Sequence, residues 1–251
     1  AGASIGSHTH PLKGPSGEAL ALDVATFGHL DAPKVFATMS ATHGGEGFVG
    51  SAAQVGWLEE SRWRNRPDNM AVVLLHAVNP HGFAWLRRVT EGNVDLNRNF
   101  LDFAEPVPEK PEYEELHPAL CPEDWTDESL ASAEQTLQAY ADKHGQKKLN
   151  RVTMGGQFSR TDGLFYGGTA PTWSRTTILS VLKTHTAAAQ HVALIDFHTG
   201  LGPSGHGECY IVGNEGDPGI ERAGDLWGAD GVTIMAAPGG RQAHDGYNLT
   251  G

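Results

Sequence analysis

The sequence predicts an α/β protein with a twisted, mixed and mostly parallel sheet and helices on both faces. Short, almost continuously apolar runs alternate with segments of helical pattern along the chain. Such continuous runs are typical of strands that are buried on both faces. Polar side chains directly follow several of these runs, which is where the strands of a parallel sheet would end. Together these observations favour an α/β sheet with a polar site at its carboxyl edge.

Five apolar runs are predicted to be strands, and one earlier run is predicted to be an edge strand. Helices are predicted after the Gly-rich turn at 44–47 and after N-caps at Asp127 and Thr172. The five strands are Lys34–Ala41, Ala71–Val78, Val192–Phe197, Glu208–Val212 and Val232–Ala236, the edge strand is Ala19–Phe27, and the first helix is Val49–Trp63.

The segment from Asp102 to Glu128 differs in composition from the rest of the chain. It holds ten acidic residues and five prolines. Because proline blocks regular pairing, the segment is predicted to be an irregular surface excursion. The alternative is a lid that screens substrates by charge, since long loops in compact domains are often functional.

Composition excludes several classes of function. The chain has 251 residues and a net charge of −12, from 30 acidic and 18 basic residues. Nucleic acid and anionic membranes need basic surface, so neither is an expected partner. Cys121 and Cys209 lie far apart, which argues against a disulfide framework and a cysteine-ligated metal. With no signal peptide visible in Ala1–Gly17, a cytoplasmic bacterial protein is expected.

Two histidines and a glutamate are candidates for one zinc site. His43 and Glu46 are separated by two residues in a Gly-rich turn that follows a predicted strand, and His198 follows another predicted strand. Strands of a parallel sheet bring their carboxyl ends to one edge, so these side chains are expected to meet. Catalytic zinc takes three such protein ligands and keeps a fourth position open.

A second polar motif lies between these ligands. Asn79 to Phe100 reads NPHGFAWLRRVTEGNVDLNRNF, which places two amides and a guanidinium where a core strand would be apolar. The guanidinium of Arg98 can hold a carboxylate through two parallel hydrogen bonds, and Asn97 adds donors without charge. The pattern indicates a site for a carboxylate or carbonyl group beside the metal.

Taken together, these motifs resemble those of the zinc carboxypeptidases and their aspartoacylase-like and succinylglutamate desuccinylase-like deacylase relatives. The stretches SATHGGEGFVGS, VNPHGFAWLRRVTEGNVDLNRNF and DFHTGLGPSGHGE are most similar to a bacterial subgroup of this fold, DUF2817. The resemblance implies one zinc ion per chain, held by His43, Glu46 and His198. It also implies that Asp95 orients the first histidine, as metal-bound imidazoles usually require.

The same resemblance implies roles in substrate binding. Asn97 and Arg98 would hold a substrate carboxylate, and Tyr247 resembles the mobile tyrosine near the carboxypeptidase substrate. The arginine that polarises the scissile carbonyl falls on Arg88, nine residues after Asn79, with Arg87 as the competing assignment. The expected substrate is a small peptide or an N-acyl amino acid, and the motifs leave peptidase and deacylase open.

One element of the family pattern has no match. The family's general base is a glutamate well beyond the third zinc ligand, yet no glutamate follows Glu221 here. We therefore expect residues 1–251 to be a single catalytic domain that lacks its C-terminal part, with the base beyond residue 251. The alternative to an enzyme is a non-catalytic zinc- or ligand-binding protein that keeps the fold.

Overall fold

The computed structural model of the chain describes residues 2–200, 203–213, 216–228 and 231–236. These residues divide into two compact units, one within 2–96 and 171–200 and one within 97–170 and the described part of 203–236. The prediction of a single domain over 1–251 stays a prediction. No helix in the described part of the chain is long and apolar enough to cross a membrane.

Helices and strands alternate along the chain, as the sequence predicts. The strands are β1 (Ser4–Lys13), β2 (Ala19–Phe27), β3 (Lys34–Met39), β4 (Met70–His76), β5 (His191–Asp196), β6 (Cys209–Gly213) and β7 (Val232–Ala236). The α-helices are α1 (Gly47–Glu59), α2 (Pro80–Ala84), α3 (Pro111–Leu120), α4 (Asp127–His144), α5 (Gln146–Met154), α6 (Trp173–Thr186) and α7 (Pro218–Trp227).

The first unit is built on a five-stranded mixed sheet in the order β1-β2-β4-β3-β5. β3 pairs in parallel with both β4 and β5, whereas β1–β2 and β2–β4 are antiparallel. With the parallel pair β6–β7, three of the five strand pairings among the described residues are parallel. The predicted mixed, mostly parallel α/β fold is confirmed.

The central strand β4 shows the continuous apolar pattern that predicts a buried strand, and the edge strand β1 does not. In β4 the residues from Ala71 to Leu75 are all buried, because the strand lies between two others. β1 was not predicted, because its residues are polar and, apart from His10, mostly exposed. The prediction that Ala19–Phe27 is an edge strand is therefore wrong, since β1 covers that edge.

The parallel strands β3, β4 and β5 are neighbours, so their carboxyl ends lie at the same edge of the sheet. The loops that follow them carry every metal-site candidate of the first unit. α1 begins in the loop after β3, α2 begins shortly after β4, and His198 follows β5 within two residues. The topology therefore brings together side chains that are far apart in sequence.

Helix α1 is fixed to the sheet by apolar and polar contacts. Phe27 packs against Trp57 and Trp63, with ring centroids 5.7 and 5.2 Å apart. Burying side chains of this size contributes roughly 1.5–3 kcal/mol each. Gln54 is also buried, and its amide donates to the Thr38 hydroxyl and accepts from the Ser40 hydroxyl. A buried amide with partners on the sheet holds the helix in one register.

The second unit holds α3, α4 and α5, which share a core of Tyr113, Leu116, Tyr140 and Val152. α3 lies inside the segment predicted to be irregular, so that prediction is wrong for residues 111–120. Pro111 stands in the first turn of the helix, where its missing N–H costs nothing.

Candidate metal centre

The turn after β3 is shaped by close contact between two loops. A Cβ atom on Gly44 would lie only 1.9 Å from the Gly82 carbonyl oxygen and 2.4 Å from that of Arg87. The Gly44 amide also donates to the Arg87 carbonyl at 3.1 Å. The positive φ in this turn belongs to Ala41, at 64°. Gly44 is therefore required because the two loops approach too closely here for any side chain.

The three predicted zinc ligands lie together. One ligand atom from each of His43, Glu46 and His198 lies within 4.8 Å of the other two. His43 Nδ1 is 3.0 Å from Glu46 Oε1, and His198 Nδ1 is 3.3 Å from Glu46 Oε2. Side chains of these three types at such short range could hold one metal ion.

Each histidine turns its other ring nitrogen to a carboxylate. His43 Nε2 lies 3.3 Å from Oδ1 of Asp95, the residue that the family resemblance pairs with this histidine. His198 Nε2 lies 2.7 Å from Asp196 Oδ2, a contact that sequence reasoning missed. A signal for it existed, because residues two apart in extended chain point the same way. Both imidazoles thus direct Nδ1 towards Glu46 and the candidate metal position. The carboxylate at the other ring nitrogen fixes the orientation of each imidazole.

The two histidine–carboxylate pairs differ in exposure. His43 is 3% exposed and Asp95 is 0% exposed, whereas His198 is 33% and Asp196 24% exposed. Glu46 bridges the pairs, because each of its oxygens contacts one histidine. The Thr199 amide also donates to Glu46 Oε2 at 3.0 Å, another partner that the sequence did not predict.

Of the two candidate arginines, the structure brings Arg88 to the cluster. Its Nε donates to Asp95 Oδ2 at 3.0 Å and its Nη1 to Glu46 Oε1 at 3.1 Å. The Arg87 side chain donates instead to Asn93 Oδ1 at 3.3 Å. Arg88 is partly exposed, so its guanidinium contacts a ligand residue and solvent at once.

Hydrogen bonds within the cluster favour a negatively charged Glu46 and a protonated His198. Burial raises the pKa of the Glu46 carboxyl, but hydrogen bonds from His198, His43 and the Thr199 amide outweigh it and hold that pKa well below its ordinary value. Burial lowers the pKa of His198, but hydrogen bonds to Asp196 and Glu46 outweigh it and raise the pKa to about 10. A metal ion binds neutral imidazole, so it would displace a proton here.

Asn97 and Arg98 belong to the second unit. Arg98 is 2% exposed, and its Nη2 donates to the Met154 carbonyl at 2.7 Å. Its guanidinium carbon lies 5.7 Å from the centre of the Phe165 ring. Asn97 is partly buried. Tyr247 lies outside the described residues. The substrate-binding roles of all three stay predictions.

Comparison with known proteins gives a family and a fold. A family model described as "Protein of unknown function (DUF2817)" matches residues 1–250. No curated protein matches the chain. Among solved structures, carboxypeptidase A from Helicoverpa armigera superimposes with a TM-score of 0.52 at 13% identity, over 93% of this chain and 52% of the other. That likeness shows the carboxypeptidase-like fold.

Two further solved structures match less well. A metallo-carboxypeptidase from Burkholderia cenocepacia has a TM-score of 0.40 and 14% identity, over 97% of this chain and 50% of its own. A succinylglutamate desuccinylase/aspartoacylase family protein from Shewanella amazonensis has a TM-score of 0.38 and 20% identity, over 86% and 51%. The chain thus spans about half the length of these solved structures.

Proposed function

This chain belongs to the DUF2817 family, and on that premise we propose that it carries the zinc site of a hydrolase that cleaves an amide bond next to a free carboxylate. The observation that supports the proposal most is the convergence of His43, Glu46 and His198 within 4.8 Å. The carboxylates beside the other ring nitrogens of both imidazoles also support the proposal. Metal-binding histidines usually have such orienting partners, whereas other histidines do not require them.

The donor set suits zinc. Two imidazole nitrogens and one carboxylate oxygen are the ligands of many catalytic zinc sites, which keep a position open for water or substrate. His198 and Glu46 are partly exposed, so one side of the cluster is reached from solvent. Zinc at this position would supply a Lewis acid that polarises a carbonyl and acidifies water.

Arg88 is the residue we propose to stabilise charge on the substrate. Its guanidinium contacts Glu46 and Asp95 and remains partly exposed, so it is held beside the cluster by two carboxylates. A fixed cation where negative charge develops on the scissile carbonyl favours the transition state over the ground state. Asp95 thereby positions both a ligand histidine and the arginine.

The substrate carboxylate is assigned by resemblance to Asn97 and Arg98, with Tyr247 as a further contact. A small peptide cleaved at its C-terminus and an N-acyl amino acid both carry such a carboxylate. Arg88, close in sequence to the DLNR stretch, is typical of the deacylase branch, whereas DLNRNF and Tyr247 are typical of the peptidase branch. We propose the reaction type and leave both substrate classes for the test.

The test is elemental analysis of the purified full-length protein, beside His198→Ala and a control, His29→Ala. His29 is an exposed histidine of the same unit, outside the cluster. We expect about one zinc per chain in the wild type and the control, and none in His198→Ala. The zinc-loaded protein is then assayed with C-terminal peptides and with N-acyl amino acids.

Zinc with hydrolysis of either class supports the proposal, and the reactive class identifies the branch. Zinc without hydrolysis of either would favour a non-catalytic binding protein. A wild type that neither contains zinc nor takes it up on addition would overturn the proposal.

A further inference from the structure

Thr42 directly precedes the ligand His43, yet its side chain contacts the carboxylate that holds the other histidine. Its hydroxyl lies 2.8 Å from Oδ1 and 2.9 Å from Oδ2 of Asp196, and donates its proton to that carboxylate. The same Oδ2 lies 2.7 Å from His198 Nε2. Thr42, Asp196 and His198 therefore form a chain of hydrogen bonds, called here the threonine relay.

The relay connects a rigid part of the site to an exposed one. Thr42 is buried, and its backbone carbonyl accepts a hydrogen bond from the side-chain amide nitrogen of Asn79 at 3.3 Å. Its β-branched side chain has few rotamers, so the direction of the hydroxyl is well defined. Asp196 and His198 are partly exposed, so water competes for their hydrogen bonds. The buried hydroxyl supplies a partner that water does not displace.

We propose that Thr42 is a positioning residue for zinc, which fixes Asp196 so that His198 presents Nδ1 to the metal. This inference rests on the proposed function, because it assigns the role through His198. Two consecutive residues, Thr42 and His43, then determine the position of both imidazoles. His43 binds directly, and Thr42 orients the ligand that follows the neighbouring strand.

The hydroxyl can be separated from the packing of the side chain. Valine has nearly the volume of threonine but no donor, so Thr42→Val removes the relay while filling the same space. Thr42→Ser keeps the donor and loses only a methyl group. Thr26→Val is the matched control, because Thr26 is also buried in the sheet but lies in β2, toward the edge opposite the site.

The experiment measures zinc affinity of the full-length variants by competition with a chromophoric chelator, and the visible spectrum of bound Co²⁺. Loss of a residue that orients a metal ligand typically weakens binding 10–100-fold. We expect about a 10-fold or greater loss in Thr42→Val with altered Co²⁺ bands. Thr42→Ser and Thr26→Val should match the wild type.

Asp196→Asn tests the relay independently and decides the matter if Thr42→Val does not fold. We expect it to lose at least as much zinc affinity as Thr42→Val. The double variant should bind no more weakly than Asp196→Asn alone, because both changes act on His198 through one carboxylate. Wild-type affinity in either single variant, or additive losses in the double, would overturn the inference alone. A wild type that binds no zinc would overturn it together with the proposed function.

Discussion

The two histidine–carboxylate pairs have the same composition but lie in different surroundings. His43 and Asp95 are buried, whereas His198 and Asp196 are partly exposed. The buried pair also receives Arg88, which donates to Asp95. The exposed pair is held by a threonine hydroxyl. The buried pair is thus held by burial and by a guanidinium, and the partly exposed pair by hydrogen bonds from a buried hydroxyl.

The difference follows from the position of each pair in the sheet. His43 leaves β3, which lies between β4 and β5, and its turn packs on the loop that carries Gly82 and Arg87. His198 leaves β5, the outermost strand of that sheet among the described residues, and residues 191–194 of this strand are exposed. A strand inside the sheet thus precedes the buried histidine, and the outermost described strand precedes the more accessible one.

The largest expected effect comes from removing either ligand histidine, and it tests whether both pairs are needed. Zinc at a free concentration one thousand times its Kd should raise the free energy of unfolding by about 4 kcal/mol. We expect His43→Ala and His198→Ala to abolish that gain equally. Urea unfolding with and without zinc measures it. A gain retained by either variant would show that the pair concerned does not hold the metal.

Substitution of Arg88, which donates to Asp95, tests whether the buried side of the site contributes to catalysis. If its guanidinium stabilises charge on the substrate, Arg88→Gln should lower kcat by roughly 10²–10³, the usual cost of one such donor. Arg87→Gln, whose parent side chain donates to Asn93, is the control and should change kcat little. The measurement is steady-state kinetics on whichever substrate class reacts. A larger loss in Arg87→Gln would reverse the assignment.

Asp95 and Asp196 differ most in what they contribute to the metal-free fold. Asp95→Asn should lower the free energy of unfolding by about 1–3 kcal/mol, because it disturbs a fully buried group with two partners. Asp196→Asn should cost less than about 1 kcal/mol, since its surroundings are partly exposed. Urea unfolding in the presence of a chelator measures both. Equal costs would remove the contrast between the pairs.

The smallest expected effect concerns His76, a histidine outside both pairs. Its substitution gives a reference for how much the protonation of a histidine outside the site changes stability at acid pH. Burial lowers the pKa of His76, and the Asp23 carboxylate opposes that shift only in part. The unfolded chain therefore binds the proton more readily, and stability falls as pH drops below about 6.5. His76→Gln should flatten that acid slope, while exposed His8→Gln should not. Unfolding of the metal-free protein between pH 7.5 and pH 5 measures it, each pH held by about 20 mM buffer to limit screening.

The sequence predicted the metal site better than the loops around it. His43, Glu46 and His198 could be proposed because they follow apolar runs that are predicted to be strands of a parallel sheet, whereas Asp95 was implied only by the resemblance to the zinc carboxypeptidases. Asp196 was missed because its role depends on a side-chain direction that only the strand end defines. Helix α3 was missed because five prolines in residues 102–128 concealed that Pro111 begins a turn. Strand β1 was missed because an exposed edge has no apolar signature.

Gly44 contacts Gly82 and Arg87, which are close to it in space although a long stretch of chain lies between them. The backbone between these loops includes α1 and β4, and the amide of Gly44 meets the Arg87 carbonyl because β3 and β4 pair in parallel and end at the same edge of the sheet. Insertions on the far edge of the sheet, such as in the turn after α1, would lengthen the chain without moving the contact. A side chain at position 44 would part the loops at once. In relatives of this protein, spacing between the two motifs should therefore vary more freely than the residue at 44.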